Sequence, residues 1–322
     1  MINRKTVLVL GAGASKPYGF PTGAELIAEI GTGLQNASNV TFHQLQDAGF
    51  DCQQIKKLAT ELQGSQLYSI DEFLEHRPEL VPVGKGAIAG LLLPRELKSN
   101  ESLFDLNKSD HWYRHLRNSL RSSFEAFKSN QLRVISFNYD RSFEHYLFES
   151  VRSTYGRGPH ECAEITGTID VIHVYGSLGP LPWQTDSHDS TPESKAVPYG
   201  SEPLTSHVIK KASDSIRVLH EKDEEVRTRL ETVRSWLQWG ERIFFLGFGF
   251  HPDNVRRLSL RGLRREQEPK GTCLGLSLEL REQAVSCTHW AAPKVVGSVY
   301  AIEFPDPKAD CYTFLHDHVT LS

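Results

Sequence analysis

An amide and a carboxylate close the apolar run "LRVISFNYD" (132–140): Asn138 and Asp140. Together at one strand end, these two side chains can orient a nucleophile and support positive charge developing on a neighbouring carbon. The triplet "NYD" fits a polar turn equally well, because Asn and Asp close strands by bonding their own backbone. A second run, "TIDVIHVYG" (168–176), carries His173 and Tyr175. On a continuous strand the two point to one face. Histidine titrates near neutrality and suits general-base work, whereas tyrosine, with an ordinary pKa of about 10, suits hydrogen bonding. His173 also fits a core histidine satisfied by a neighbour.

A different chemistry is written into "VLVLGAGASKPYGFPTGAELIAEI" (7–30), where Gly11 and Gly13 stand between an apolar run and a helix-start signal. A glycine turn there lets backbone approach an anion, and a helix N-terminus offers N–H groups and a partial positive charge. Ser15 can donate to a phosphate, and Gly19-Phe20-Pro21 makes a second tight segment. A dinucleotide fingerprint wants a third glycine where the chain has Lys16, and the P-loop G-K-[ST] is missing. Later, "GFGFHPDN" (247–254) places His251, Asp253 and Asn254 after a glycine-rich strand end, where Asp253 also reads as a helix cap. Trp236 and Trp239 read as packing residues.

These groups need elements to hold them. Val7 to Leu10 reads as a buried strand. Thr22 and Glu25 make a capping box, followed by the helical stripe Leu26, Ile30, Leu34. Residues 36–129 read as a helical insertion. Strand-like runs at 132–140, 168–176, "RIFFL", "GTCLGLS" and "GSVYAIEF" then alternate with helical segments, one a single helix over about 206–239. The stretch 179–205, rich in Pro, Ser, Thr and Asp, reads as a long loop or lid. This alternation predicts an α/β protein with a doubly wound, parallel, Rossmann-like sheet built from 1–35 and 130–322, with ligands at the carboxyl ends of the strands.

Composition narrows the function classes. With 36 basic and 40 acidic residues the formal net charge is -4, so no direct nucleic-acid binding and no attraction to an anionic membrane are expected. Cys52, Cys162, Cys273, Cys287 and Cys311 are scattered without a C-x-x-C pair, which speaks against a disulfide framework and against zinc. A reducing, cytoplasmic setting is expected. The apolar stretch Val7–Leu10 is shorter than the roughly 7–15 residues of a signal-peptide core, and no run nears the roughly 20 of a membrane span.

Taken in order, "GAGAS", "GFPT", "FNYD", "HVYGSL" and "GFGF" resemble the sirtuin superfamily, closest to the bacterial sirtuin-like domains of antiphage defence, over about residues 5–255. "SIDEFLEHRPELVPVGKGAIAGLL" looks like the helical insertion of that bacterial group. The resemblance implies that Gly11, Ala12, Gly13, Ala14 and Ser15 hold the pyrophosphate of NAD. It places Gly19, Phe20 and Pro21, with Thr22 adjoining, beside the nicotinamide, and Asn138 and Asp140 at the nicotinamide-side ribose. Gly247, Phe248 and Gly249 face the adenosine half, with Asp253 and Asn254 near its ribose. Sirtuins carry their catalytic histidine directly before a glycine; here Tyr175 precedes Gly176, and His173 lies two residues earlier.

The activity implied is NAD hydrolysis to nicotinamide and ADP-ribose, by a regulated effector of antiphage defence that depletes NAD in abortive infection. Cyclisation is a variant. Destroying cellular NAD is hazardous, which implies control by a separate protein partner or an oligomeric switch. The alternatives are a non-catalytic NAD or ADP-ribose sensing module that scaffolds an effector, and a protein deacylase or ADP-ribosyltransferase.

Overall fold

The computed structural model describes residues 1–185, 195–218, 224–264, 266–288 and 301–321. Strand β1 (Thr6–Leu10) is buried along its whole length and stops at Gly11. A single helical turn, α1 (Ala12–Ser15), and a 3-10 turn lead to α2 (Gly23–Gly33). The expected capping box forms at the start of α2: the Glu25 N–H donates to Thr22 Oγ1 at 3.3 Å, and the Thr22 N–H donates to Glu25 Oε2 at 2.8 Å. Leu26, Ile30 and Leu34 bury the stripe that follows.

Only helices intervene before the next strand: α3 (Val40–Asp47), α4 (Cys52–Ser65), α5 (Ile70–His76), α6 (Val81–Leu103) and α7 (Trp112–Ser119), with short 3-10 turns. They share one hydrophobic core with the sheet, since Leu58, Leu74 and Ile88 belong to the same buried cluster as Val7 and Leu8. The insertion is thus welded to the sheet rather than appended to it.

Strand β2 (Leu132–Ser136) pairs in parallel with β1, and β3 (Asp170–His173) with β2, joined through α8 (Ser142–Tyr155) and α9 (Pro159–Thr166). The chain then crosses back through α10 (Ser206–Ser215) and α11 (Glu224–Trp239) to β4 (Arg242–Leu246) on the other side of β1. Next come α12 (Pro252–Leu258), β5 (Glu268–Gly271) and α13 (Leu278–Thr288). The strand order β3-β2-β1-β4-β5 is all parallel, a Rossmann-like doubly wound α/β sheet whose direction of growth reverses between β1 and β4. Strands covered by helices on both faces need continuous apolar runs, which "TVLVL" and "RIFFL" supply.

Two expectations are corrected, and a third lies partly outside the described residues. The single helix over 206–239 is two helices, because Ile216 takes an extended conformation, is buried, and bridges antiparallel to Gly176. The fifth strand lies at 268–271 and meets "GTCLGLS" only at Gly271; beyond it the Leu276 N–H donates to the Cys273 carbonyl and Gly275 takes φ +79°, so the segment turns. From "GSVYAIEF", residues 297–300 lie outside the described residues, and Glu303 makes an isolated parallel bridge to Lys270. No helix among the described residues is long and apolar enough to cross a membrane.

Candidate functional site

At the carboxyl ends of β1, β2, β3 and β4 lies a cavity of about 630 Å³, within the size range of small-molecule sites. Gly11, Ala12 and Ser15 border it after β1; Phe20, Pro21 and Thr22 border it from the segment that enters α2. Asn138 and Asp140 face it beyond β2, Tyr175 beyond β3, and Phe248, Gly249 and Asn254 beyond β4. Its position is the crevice at the point where strand order reverses.

Asn138 joins two of these walls. Its Nδ2 donates to the Gly11 carbonyl at 3.0 Å and to Ser15 Oγ at 2.9 Å. Its Oδ1 is buried and has no hydrogen-bond partner in the protein. An orphaned buried acceptor costs about 1–3 kcal/mol, a cost that a donor brought within reach of it would relieve. Asp140 Oδ1 accepts from the Ser142 N–H at 3.2 Å and from the Ser142 hydroxyl. Burial raises the Asp140 carboxyl above its ordinary pKa, against the lowering effect of the Ser142 and Ser15 hydroxyls. Phe137 stands edge-on to Phe248 (ring centroids 5.0 Å apart) and to Tyr175 (5.8 Å), giving the cavity an aromatic floor.

Gly13, Ala14 and Gly247 lie behind the wall rather than on it. The Gly11 N–H donates to the Leu246 carbonyl and the Gly13 N–H to the Gly247 carbonyl, both at 3.0 Å. A Cβ at Gly11 would meet Gly247 O at 2.4 Å, and one at Gly13 would meet Gly247 Cα at 2.9 Å. The G-x-G pair therefore lets the ends of β1 and β4 touch backbone to backbone, and the elbow residues left facing the cavity are Gly11, Ala12 and Ser15. Gly176, likewise, would drive a Cβ to 2.2 Å from the Ser215 carbonyl, so its role is the close approach of the segment between α10 and α11.

His173 does not border the cavity. Its Nδ1 lies 2.7 Å from the Asn138 carbonyl and its Nε2 lies 2.6 Å from Glu144 Oε1. Both nitrogens are engaged, one by a backbone carbonyl and the other by a buried carboxyl, so the ring has no free lone pair to offer the cavity. Burial pulls the His173 pKa down, but the Glu144 carboxylate and the Asn138 carbonyl outweigh it and the net shift is upward. The alternation that would put His173 and Tyr175 on one face fails because β3 ends at His173 and the Gly176 N–H closes a turn onto the His173 carbonyl.

Tyr175 does reach the cavity. Its hydroxyl donates to Asn254 Oδ1 at 2.5 Å and accepts from Arg257 Nη1 at 2.8 Å. Asp253 sits outside, paired with Arg256 at 2.8 Å, and His251 stands at the rim between Asp253 (4.0 Å) and Glu72 (3.6 Å).

The helical insertion also contributes wall. Tyr68, Ser69, Ile70 and Asp71 line the cavity, as do Ser277, Glu279 and Leu280 around the start of α13. Asp71 accepts from the Tyr139 hydroxyl, and burial pushes its carboxyl up to about 6 against the lowering effects of Tyr139 and Arg257. Sequence reasoning missed Asp71, although an acid among Ile70, Phe73 and Leu74 on the buried side of a short helix was a readable signal. Among the described lining residues there is no Lys or Arg, whereas Asp71, Asp140 and Glu279 are acids.

No protein-family model matches the chain, and no curated protein matches it.

Of the 179–205 segment, residues 186–194 lie outside the described residues, and none of the others borders this cavity. Arg141, fully buried, donates to the carbonyls of Gly179 (3.1 Å) and Val197 (2.5 Å) while pairing with the fully buried Glu96 of α6. The segment is thereby strapped down at Gly179 and Val197. It borders instead a second cavity of about 840 Å³ against α8 and α9, where Trp183 stacks on Phe148 and Tyr199 on His145.

Proposed function

We propose that the chain binds NAD in the cavity at the β1–β4 switch point and hydrolyses its nicotinamide–ribose bond, giving nicotinamide and ADP-ribose. The observation that carries this reading is Asn138: it lines the cavity, its amide nitrogen ties the β1 elbow to the end of β2, and its Oδ1 is buried without a hydrogen-bond partner. That oxygen is an acceptor for a ribose hydroxyl. Cleavage passes through an oxocarbenium-like carbon, and a lining whose described residues bring acidic groups and aromatic faces but no Lys or Arg suits positive charge at that end of the molecule. It equally suits the cationic pyridinium of bound NAD. The pyrophosphate would lie against Ala12 and Ser15. The resemblance to bacterial sirtuin-like domains adds the setting, an effector of antiphage defence that depletes NAD and is held inactive by a partner protein or an oligomeric switch.

The sealed state of His173 favours a second reading, an NAD or ADP-ribose sensing module that binds without turnover. Incubating the purified protein with NAD and quantifying nicotinamide separates the two. The assay is run with and without candidate activators; hydrolysis is expected from the activated wild type, and Asn138→Ala should slow it at least about 100-fold, the scale of losing one preorganised transition-state group. Full turnover by Asn138→Ala would overturn the assignment, and tight NAD binding with no nicotinamide would select the sensor.

A further inference from the structure

Water attacking an anomeric carbon loses a proton, and the group that takes it must face the cavity with a free lone pair. His173 has none to offer. Tyr175 keeps its proton, because burial raises its pKa far above the ordinary tyrosine value while its hydroxyl is fixed between Asn254 and Arg257. Asp140 accepts from the N–H and the hydroxyl of Ser142 and is also held by the Ser15 hydroxyl, three bonds against the two that Asp71 accepts. Two further carboxylates line the cavity: Glu279 near the start of α13, and Asp71, brought in by α5 of the helical insertion and fixed beside the end of β2 by the Tyr139 hydroxyl, which makes Asp71 the one positioned next to Asn138.

We propose that Asp71 is the general base of the site, so that the insertion completes the catalytic apparatus instead of merely covering it. This rests on the hydrolase reading of the same cavity. In the step, the water oxygen bonds to ribose C1′ as the C1′–N bond breaks and its electron pair returns to the nicotinamide nitrogen. The water proton passes to the Asp71 carboxylate and from there to solvent.

The geometry holds Asp71 for this role. The Ser69 hydroxyl caps α5 by accepting from the Glu72 N–H at 3.5 Å, and buried Ile70, Phe73 and Leu74 anchor the helix, leaving Asp71 8 % exposed at the cavity. Tyr139, next to Asn138 beyond β2, holds one carboxylate oxygen through its hydroxyl, and Ser69 Oγ contacts the other at 3.4 Å. The charged and titratable groups facing it are Tyr139 and Tyr175 from the strand ends, Arg257 from α12, and Glu75 from its own helix. With a carboxyl pKa of about 6 it is ionised, and able to accept, at neutral pH.

The test is the pH profile of nicotinamide release by the full chain, with NAD binding followed in parallel by calorimetry. Wild-type rate should rise with pH to a plateau, with an inflection near 6. Asp71→Asn, nearly isosteric, should bind NAD within about threefold of wild type yet turn over at least about 100-fold more slowly and without that inflection. Tyr139→Phe removes a hydrogen bond that favours the carboxylate, so the inflection should move to higher pH, an effect that loss of fold would not produce. Asp71→Asn turnover within about threefold of wild type, or an inflection unchanged in it, overturns the proposal and leaves the hydrolase reading standing. An inflection abolished by Asp140→Asn but retained in Asp71→Asn reassigns the base to Asp140. Wild-type protein that binds NAD and releases no nicotinamide at any pH overturns both.

Discussion

Gly247→Ala and Gly249→Ala, two residues apart, should behave as opposites. Gly247 has φ +56°, a conformation that costs an L-residue about 1–2 kcal/mol. A Cβ there would also stand 2.1 Å from Ala14 N and 2.3 Å from Gly13 C, backbone atoms that cannot swing aside, adding an overpacking cost of about 1–3 kcal/mol. The sum, about 2–5 kcal/mol, is a large part of the 5–15 kcal/mol typical of a folded domain. At Gly249 no heavy atom lies within 4 Å of an added Cβ, so its substitution should change stability by no more than about 0.5 kcal/mol. Urea unfolding followed by tryptophan fluorescence gives both numbers, as a shift of midpoint at constant slope. Equal losses, or an unperturbed Gly247→Ala, would refute the claim that the β1 glycines serve contact with β4 and would return them to direct ligand contact.

Glu96→Ala should destabilise the protein by about 3–5 kcal/mol, measured by thermal unfolding, because it leaves the Arg141 guanidinium buried without its counter-charge; a change below about 1 kcal/mol would contradict the strap assignment. Glu144→Gln should lower the His173 pKa, read by NMR titration of the imidazole. The native pKa is raised, so the stabilisation from that pair is complete below the ordinary histidine value of about 6.5 and is lost as pH climbs through the higher folded-state value. Wild-type stability should accordingly decline over that window and Glu144→Gln should flatten the decline; identical profiles would show that Glu144 does not raise the His173 pKa.

Much of this architecture was legible. "TVLVL" and "RIFFL" are too short for helices and too uniformly apolar for a half-exposed strand, and the Thr22–Glu25 pair marked the start of α2 to the residue. The gathering of Ser15, Pro21, Asn138, Tyr175 and Asn254 follows from a rule of parallel sheets, that strand ends share a crevice. Other features depend on contacts between remote segments. Nothing local to "GAGAS" says that Gly13 answers to Gly247, nor that β3 stops at His173 because its next turn closes through Gly176. Asp71 escaped for the same reason: its meaning comes from Tyr139, 68 positions away along the chain.

The most direct measurement is the location of ADP-ribose bound to the protein, by crystallography of the complex. The account predicts the pyrophosphate against Ala12 and Ser15 and a ribose hydroxyl donating to Asn138 Oδ1. ADP-ribose seated instead in the second cavity beside Trp183 and Tyr199, with the switch-point cavity empty, would contradict it.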